Sequence, residues 1–431
     1  MKSVFRNTTF RRLFAGRLIT NMGDSLYYIA AMWLAYELGG SAFYTGLAGF
    51  LTLAPQALQF LTGPFVDRWD IRRLLVGTQV LQGALVLVIP IAAWTGQLSV
   101  MVVLVVMPVV SMLNQFVYPA QSAALPRIVR EDELTDANSA FSFAYQGTDL
   151  VFAGLGGVFV ALVGAVSLYL ADSVTFAVAT LVFATVHIPA ADGSDTERVA
   201  SAVDDYTEKL TEGIDYVRGS VLALILVESV LVNAVIGATM AVLPAFAELR
   251  GGSETYGFLL AAISAGLLVG ALCAAPLKRF SLSRLTIVGF AVSAVVWFGA
   301  VATNWLPATL VLFCLAWLPI GVTNVVFAAM TQTYVPEHLL GRVTSVTTSA
   351  SAAAMPVGSL LGGLAGETWG AEVVVAATGV GFLFVAGYWF FHPLLRRVPA
   401  LEDLDPTKYG LGRAERTRSV ERSPAIADGG D

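Results

Sequence analysis

The sequence predicts an all-α membrane protein with twelve transmembrane helices in two pseudo-symmetric six-helix bundles. Three observations support this fold class. Apolar residues make up 56% of the 431 residues and charged residues only 13%, which is outside the usual range of a soluble domain. Apolar stretches long enough to cross a bilayer core, about 20 residues, recur along the whole chain. The two halves of the chain also share a series of residues in the same order.

Twelve stretches reach the length that a membrane-spanning helix needs. They cover residues 11–37, 43–65, 74–95, 99–124, 137–163, 166–188, 220–247, 255–277, 285–303, 307–333, 343–366 and 371–392. The first begins behind a basic N-terminal segment that has no small-residue cleavage site, so we expect it to remain as a span. Residues 74–126 and 285–336 contain no charged side chain, and each is long enough for two spans.

The positions of lysine and arginine predict the orientation, because cytoplasmic loops keep the positive charge. With twelve spans and the N-terminus inside, every Lys and Arg except Arg250 lies in a cytoplasmic segment or at a cytoplasmic helix end. We therefore expect a multi-pass protein of the cell membrane with both termini in the cytoplasm. The predicted divisions are a first bundle at 1–189, a cytoplasmic linker at 190–219, a second bundle at 220–395 and a disordered cytoplasmic tail at 396–431.

An internal duplication is indicated by matches at a nearly constant offset. Gly39, Gly40, Ser41 and Tyr44 recur 212 residues later, and Val129, Glu131, Leu134, Ser139, Gly156 and Gly157 recur 206 residues later as Val335, Glu337, Leu340, Ser345, Gly362 and Gly363. Inverted or parallel repeats of this kind are typical of secondary transporters.

The residues do not favour an enzyme. His187, His338 and His392 lie at predicted helix ends without carboxylates at a useful spacing, and no glycine-rich Lys-Ser/Thr loop is present for a phosphate. Cys273 and Cys314 lie within apolar stretches, where we expect them to pack as small hydrophobic residues. We expect no catalytic residue, no metal and no cofactor, and no nucleic-acid partner.

The segment GPFVDRWDIRR at 63–73 resembles the signature loop of the major facilitator superfamily. The resemblance implies that its glycine allows close helix approach, that its aspartate pairs with basic groups, and that its arginines close a cytoplasmic gate. The implied gate residues are Gly63, Asp67, Arg68, Arg72 and Arg73. Asp70 stands where the family usually has glycine. Ordinary anchoring of the chain by positive charge is the alternative interpretation.

Three further stretches resemble the macrolide and siderophore exporter branch of this superfamily. They are 16–24 in the first span, 118–126 in the fourth and 341–363 in the eleventh. The resemblance implies an alternating-access carrier whose spans 1, 4, 7 and 10 surround a central cavity. One position departs from the pattern, because Phe152 and Ala153 stand where drug antiporters have Gly-Pro before the final Gly-Gly.

Four carboxylates fall inside predicted spans: Asp24, Asp149, Asp172 and Glu228. A charged side chain at the bilayer centre is unfavourable by ~2.5–3.5 kcal/mol, so we expect these groups to face the protein interior. They are candidates for proton coupling or for contact with a charged cargo. The alternative for each is a helix-to-helix hydrogen bond or an interior ion pair.

Polar stripes on predicted helices indicate either a water-filled cavity or a hydrogen-bonded helix seam. Three such stripes in the first half favour a cavity. The expected cavity residues are Asn21, Tyr28, Asn114, Tyr118, Gln121 and Gln146 in the first half, and Asn233 and Asn324 in the second. No basic residue lies near the middle of the fourth span, which favours a neutral or cationic amphipathic cargo.

These observations predict a secondary transporter that exports small amphipathic compounds in exchange for protons and works as a monomer in the lipid bilayer. An uncoupled facilitator, an uptake carrier and a non-transporting receptor on the same fold are the alternatives. Buried titratable carboxylates favour coupling, because a receptor does not need them.

Overall fold

A computed structural model of the chain describes residues 3–56, 69–189 and 211–411, which form helices and turns and no strand. The long helices of the first half are α1 (Thr8–Gly39), α2 (Ala42–Leu53), α3 (Ile71–Trp94), α4 (Val100–Asn114), α5 (Val117–Ile128), α6 (Leu134–Val163) and α7 (Ala165–Ala184). Those of the second half are α8 (Leu222–Glu248), α9 (Ser253–Leu277), α10 (Leu282–Ala302), α11 (Leu306–Tyr334), α12 (Glu337–Trp369) and α13 (Ala371–Phe391).

Eight helical stretches among the described residues are long and apolar enough to cross a membrane. They are α3, α4 with α5 as one stretch, α7, α8, α9, α10, α11 and α13. Helices α1, α6 and α12 have 32, 30 and 33 residues but carry more polar side chains, and α2 leads into residues outside the described part. The protein is therefore an all-helical, multi-span membrane protein, and the number of twelve spans stays a prediction.

Apolar side chains hold each half together. In the first half α7 packs between α1 and α3, and in the second half α8 packs on α12 while α10 packs on α11 and α13. Trp297 of α10 is fully buried beside Phe313 and Phe382, and its indole N–H donates to the carbonyl of Val375 at 2.6 Å. This bond satisfies a polar group that lipid could not satisfy.

The two halves touch through glycines at matching positions. A Cβ added to Gly363 of α12 would lie 2.7 Å from the Cα of Gly46 in α2, and one added to Gly157 of α6 would lie 3.0 Å from the Cα of Gly257 in α9. Gly157 and Gly363 are members of the repeated pair that the sequence singles out. Such close backbone approach requires residues without side chains.

These contacts lie at one end of the molecule, which we call the closed end. It holds the turns between α1 and α2, α6 and α7, α8 and α9, and α12 and α13. Tyr256 of α9 adds to it by donating to the carbonyl of Ile29 in α1 at 3.5 Å and by packing on Trp33. The starts of α1, α6 and α12 lie at the opposite end.

Residues 395–411 form a strap across the ends of α8, α10 and α11. The N–H of Leu282 donates to the carbonyl of Pro399 at 3.0 Å, and the N–H of Val221 donates to the carbonyl of Tyr409 at 2.9 Å. The strap differs from the disorder that the sequence predicts from residue 396. The reason is that its apolar side chains, Leu395, Val398, Leu404 and Leu411, are buried although charged residues surround them in the sequence.

The end of the predicted linker also belongs to the second half. Residues 211–218 form a helix, the linker helix, in which Glu212 pairs with Arg342 at the start of α12. Its Tyr216 donates to the carbonyl of Leu411 in the strap. Burial raises the pKa of Tyr216 to about 12, so its hydroxyl remains a hydrogen-bond donor even in alkaline solution. Residues 190–210 lie outside the described part.

Candidate functional site

Asp24 lies near the middle of α1, about 24 Å along the helix from its start at 1.5 Å per residue. Its carboxylate accepts a hydrogen bond at 3.0 Å from the side-chain amide of Asn114. Asn114 is the last residue of α4, and the chain turns there before α5 begins at Val117. The break in the helix places this amide beside α1. The structure thus brings together two of the residues that the sequence selects.

Asp172 of α7 lies on the other side of the same part of α1. Its side chain is fully buried, and one carboxylate oxygen accepts from the hydroxyl of Thr175 at 3.0 Å. The second oxygen has no hydrogen-bond partner among the described residues. Gly23, next to Asp24, faces this carboxylate, which would collide with any side chain at that position. Asp24 and Asp172 are close enough to act on each other electrostatically.

Arg17 is a buried cation that the sequence reasoning missed. Its side chain is only 3% exposed, although the sequence assigns it to the cytoplasmic end of the first span. Arg17, Asn21 and Asp24 are spaced i, i+4 and i+7, so they share one face of α1. Arg17 lies about 10 Å along the axis from Asp24. This spacing is the sequence signal from which Arg17 could have been predicted to lie beside Asn21 and Asp24.

Two predicted cavity residues of the first half are buried, and one of them forms a hydrogen bond between helices. Asn21 is buried, and its amide donates to the carbonyl of Ala144 in α6 at 3.3 Å. Gln121 of α5 is also buried, at 2% exposure. Their role as cavity residues stays a prediction. Gln146 and Asp149 belong to α6, but their side chains are not among those described.

A chain of buried amides joins α1, α3 and α4, and the sequence reasoning did not select it. Gln79 accepts from the hydroxyl of Thr20 at 3.1 Å and donates to Gln82 at 3.1 Å. Gln82 then donates to the carbonyl of Val110 at 3.2 Å. Because each amide is satisfied within the protein, this network fixes α3 against α1 and α4.

Several polar side chains of α11 and α12 are exposed, although both are long helices of a membrane protein. They include the predicted Asn324, and also Gln332, Thr344 and Thr348, all toward the end opposite the closed end. Polar groups on long membrane helices face water or protein rather than lipid, so this surface indicates a water-filled space. Tyr118 of α5 is 50% exposed, while Tyr28 of α1 and Asn233 of α8 are half-buried.

Glu228 lies apart from the group formed by Asp24, Asn114 and Asp172, which we call the Asp24 cluster. It is buried in the seam between α8 and α13, where it accepts a hydrogen bond from the indole N–H of Trp389 at 2.6 Å. The ring of Trp389 stacks on Phe327 of α11 at 6.0 Å between centroids. These contacts match the alternative of a helix-to-helix hydrogen bond.

The predicted gate is described only in part, because Gly63, Asp67 and Arg68 lie outside the described residues. Arg72 donates to the carbonyl of Ala184 at the end of α7, and Arg73 is exposed. Asp70 is the N-cap of α3, since its carboxylate accepts from the N–H of Arg73 at 2.8 Å. The N-cap role gives a structural reason for an aspartate at this position, where the family usually has glycine.

A family model described as "transmembrane secretion effector", a major facilitator family, matches residues 2–410, nearly the whole chain. The chain belongs to the transmembrane secretion effector family. It is a membrane transporter of the major facilitator type, as the sequence predicts, and not an enzyme.

Proteins that are similar to this chain in sequence or in fold are named as efflux proteins or transporters. The chain is 26% identical to the multidrug efflux pump Tap of Mycolicibacterium fortuitum, with 90% of this chain and 96% of that protein covered. It is 24% identical to macrolide efflux protein A of Streptococcus pyogenes, with 88% and 94% covered. A bacterial homologue of the human lysosomal transporter Spinster, in an inward-facing and occupied conformation, has the same fold, with a TM-score of 0.68 at 11% identity over 93% of this chain and 99% of that one.

Proposed function

We propose that this transporter exports small amphipathic compounds, neutral or cationic, by alternating access in exchange for protons. The relatives that are named as multidrug and macrolide efflux proteins support the export of such compounds. The contact between Asp24 and Asn114 carries the proposal of coupling, because it holds a carboxylate in the interior where a proton or a cationic cargo can neutralise it.

The proposed architecture is twelve spans in two six-helix bundles with both termini in the cytoplasm. In this orientation the closed end faces the outside, and the exposed polar surface of α11 and α12 faces the cytoplasm. Cargo then enters from the cytoplasm or the inner leaflet and reaches Asp24. The mostly cytoplasmic position of Lys and Arg supports this orientation.

Asp24 couples the movement of cargo to the movement of protons, because its charge determines how strongly the neighbouring helices bind to it. When it is ionised, its carboxylate accepts the hydrogen bond from Asn114 and holds α1 against the α4–α5 break. Protonation weakens this charge-assisted bond and releases a cationic cargo by removing its counter-charge. Asp172 adds a second carboxyl group close to the first, and because two ionised carboxylates repel each other, the pair favours taking up one proton or cation.

The test compares the wild-type protein with Asp24→Asn in proteoliposomes that contain a fluorescent cationic dye. We expect an imposed pH gradient to drive dye export by the wild type. Asp24→Asn keeps the shape of the side chain but cannot titrate, so we expect loss of the gradient dependence while dye exchange persists. Glu228→Gln is the matched control, since Glu228 lies in a different seam.

Full gradient-driven transport by Asp24→Asn would contradict the role of Asp24. The alternatives give different results in the same vesicles. An uncoupled facilitator exchanges dye at the same rate with and without the gradient, an uptake carrier moves dye in the opposite direction, and a receptor moves none.

A further inference from the structure

A cavity of about 360 Å³ lies where the linker helix, α8 and α12 meet. Its walls are apolar and include Val217 of the linker helix, Val227 and Val230 of α8, and Val346 of α12. Among the described residues of the lining, Arg218 is the one with a charge. The volume falls within the range of small-molecule sites, about 300–1,000 Å³.

The charged end of the cavity and its apolar walls lie one after the other along the membrane normal. Arg218 precedes the start of α8 at Leu222, whereas the lining residues of α8 run from Ala223 to Val230. That segment is about 10 Å long at 1.5 Å per residue. The cavity therefore has its cation at the membrane surface and its apolar walls directed toward the bilayer core.

Arg218 is available to a ligand. Its side chain is exposed, and no carboxylate of the described residues forms an ion pair with it. Asp215 of the same helix is also exposed and does not line the cavity. A guanidinium group forms strong bidentate hydrogen bonds with phosphate oxygens.

The linker helix forms one wall of the cavity. It is held in place by α12 and by the strap. Glu212 pairs with Arg342 of α12, and Gly213 allows the linker helix to approach the backbone of Arg342 closely. Tyr216 binds the strap at Leu411. The cavity is therefore preformed, which reduces the entropy that a ligand would lose by ordering it.

We propose that this cavity binds one anionic phospholipid of the cytoplasmic leaflet, with an acyl chain between α8 and α12 and the headgroup phosphate on Arg218. The position of the cation at the membrane surface and the apolar depth below it match the two parts of such a lipid. A cationic cargo would be repelled by Arg218. The site lies in the second half, apart from Asp24, and only its assignment to the cytoplasmic leaflet rests on the orientation proposed above.

The experiment titrates purified, delipidated full-length protein with phosphatidylglycerol or phosphatidylcholine and counts bound lipids by native mass spectrometry. We expect one phosphatidylglycerol to bind the wild type more tightly than phosphatidylcholine does. Arg218→Gln should weaken this binding about fivefold, the effect of one basic residue on an anionic lipid. Val230→Phe and Val346→Phe fill the apolar part and should each abolish the tightly bound copy.

Arg284→Gln is the matched control, because Arg284 is an exposed arginine at the start of α10 that does not line the cavity. It should bind phosphatidylglycerol as the wild type does. Equal binding to the wild type and Arg218→Gln would overturn the proposal, as would unchanged binding to both phenylalanine variants. The same titration with dodecyl phosphate tests a soluble amphiphile as the ligand. If dodecyl phosphate binds in a way that depends on Arg218 and phosphatidylglycerol does not bind, the proposal is also overturned.

Discussion

Trp389 and Glu228 form a hydrogen bond at 2.6 Å inside the second half, away from water. We expect Trp389→Phe to lower the free energy of unfolding by about 1–3 kcal/mol, because it leaves a buried acceptor oxygen of Glu228 without a donor. Thermal unfolding in detergent measures this loss. Trp305→Phe is the control, because Trp305 is 68% exposed and should leave the stability unchanged. Equal stability of the two variants would show that the bond contributes nothing.

At the residue scale, the sequence could predict the type of a residue and its helix face but not its partner. Asp24 and Asn114 were selected separately, and only the packed helices bring them to 3.0 Å. Asn21 was selected for the same stripe, yet its amide is used by α6. Gln79 and Gln82 also share one face of α3, at i and i+3, but this spacing alone could not predict that they join α1 and α4.

At the element scale, the strap stabilises the second half through buried apolar side chains. Truncation after Leu394 removes these residues and exposes the surface that they cover. Since burial of one large apolar side chain stabilises by about 1.5–3 kcal/mol, we expect a marked fall in the unfolding temperature, measured in detergent. A chain that ends at Leu411 keeps every strap contact described above and is the control. If both truncations unfold at the same temperature, the strap has no such role.

The long apolar helices could be predicted well from the sequence, whereas the segments between them could not. Helices α3, α8 and α9 begin and end within a few residues of the predicted spans because a run of apolar residues has few alternatives in a membrane. The strap was predicted as disordered because Arg396, Arg397 and Glu402 dominate its composition. Its burial depends on contacts with residues more than 100 positions away.

For the whole molecule, the proposed alternating-access cycle requires the closed end to separate at the glycine contacts between the halves. Overpacking there is unfavourable by about 1–3 kcal/mol. We expect Gly363→Val to lower the rate of dye export about tenfold or more, since 1.4 kcal/mol corresponds to a factor of ten in population. The measurement is transport in proteoliposomes at equal protein content.

Gly77→Val provides the control for this substitution, because a Cβ at Gly77 of α3 meets no atom within 4 Å. It introduces the same branched side chain into a helix without touching the other half. Normal transport by Gly363→Val would mean that the closed end tolerates the extra volume and that its close backbone approach is not required for the transport cycle.

The glycines that repeat in the sequence make similar contacts in the two halves of the chain. Gly156 packs on Ile29 of α1, and its repeat Gly362 packs on Ala238 of α8, while Gly157 and Gly363 each touch the opposite half. The offset between matching residues could therefore predict which positions approach another helix. It could not predict which helix, because that depends on how the two halves are turned toward each other.

The hydrogen bond between Tyr216 and Leu411 joins residues that are 195 positions apart in the chain. At a synthesis rate of about 5–20 residues per second, the ribosome adds Leu411 roughly 10–40 seconds after Tyr216. The linker helix must therefore wait for this contact until Leu411 has been made, when the helices before it have already left the ribosome. The second half consequently acquires the contacts of the strap only after its last long helix, α13, has been synthesised.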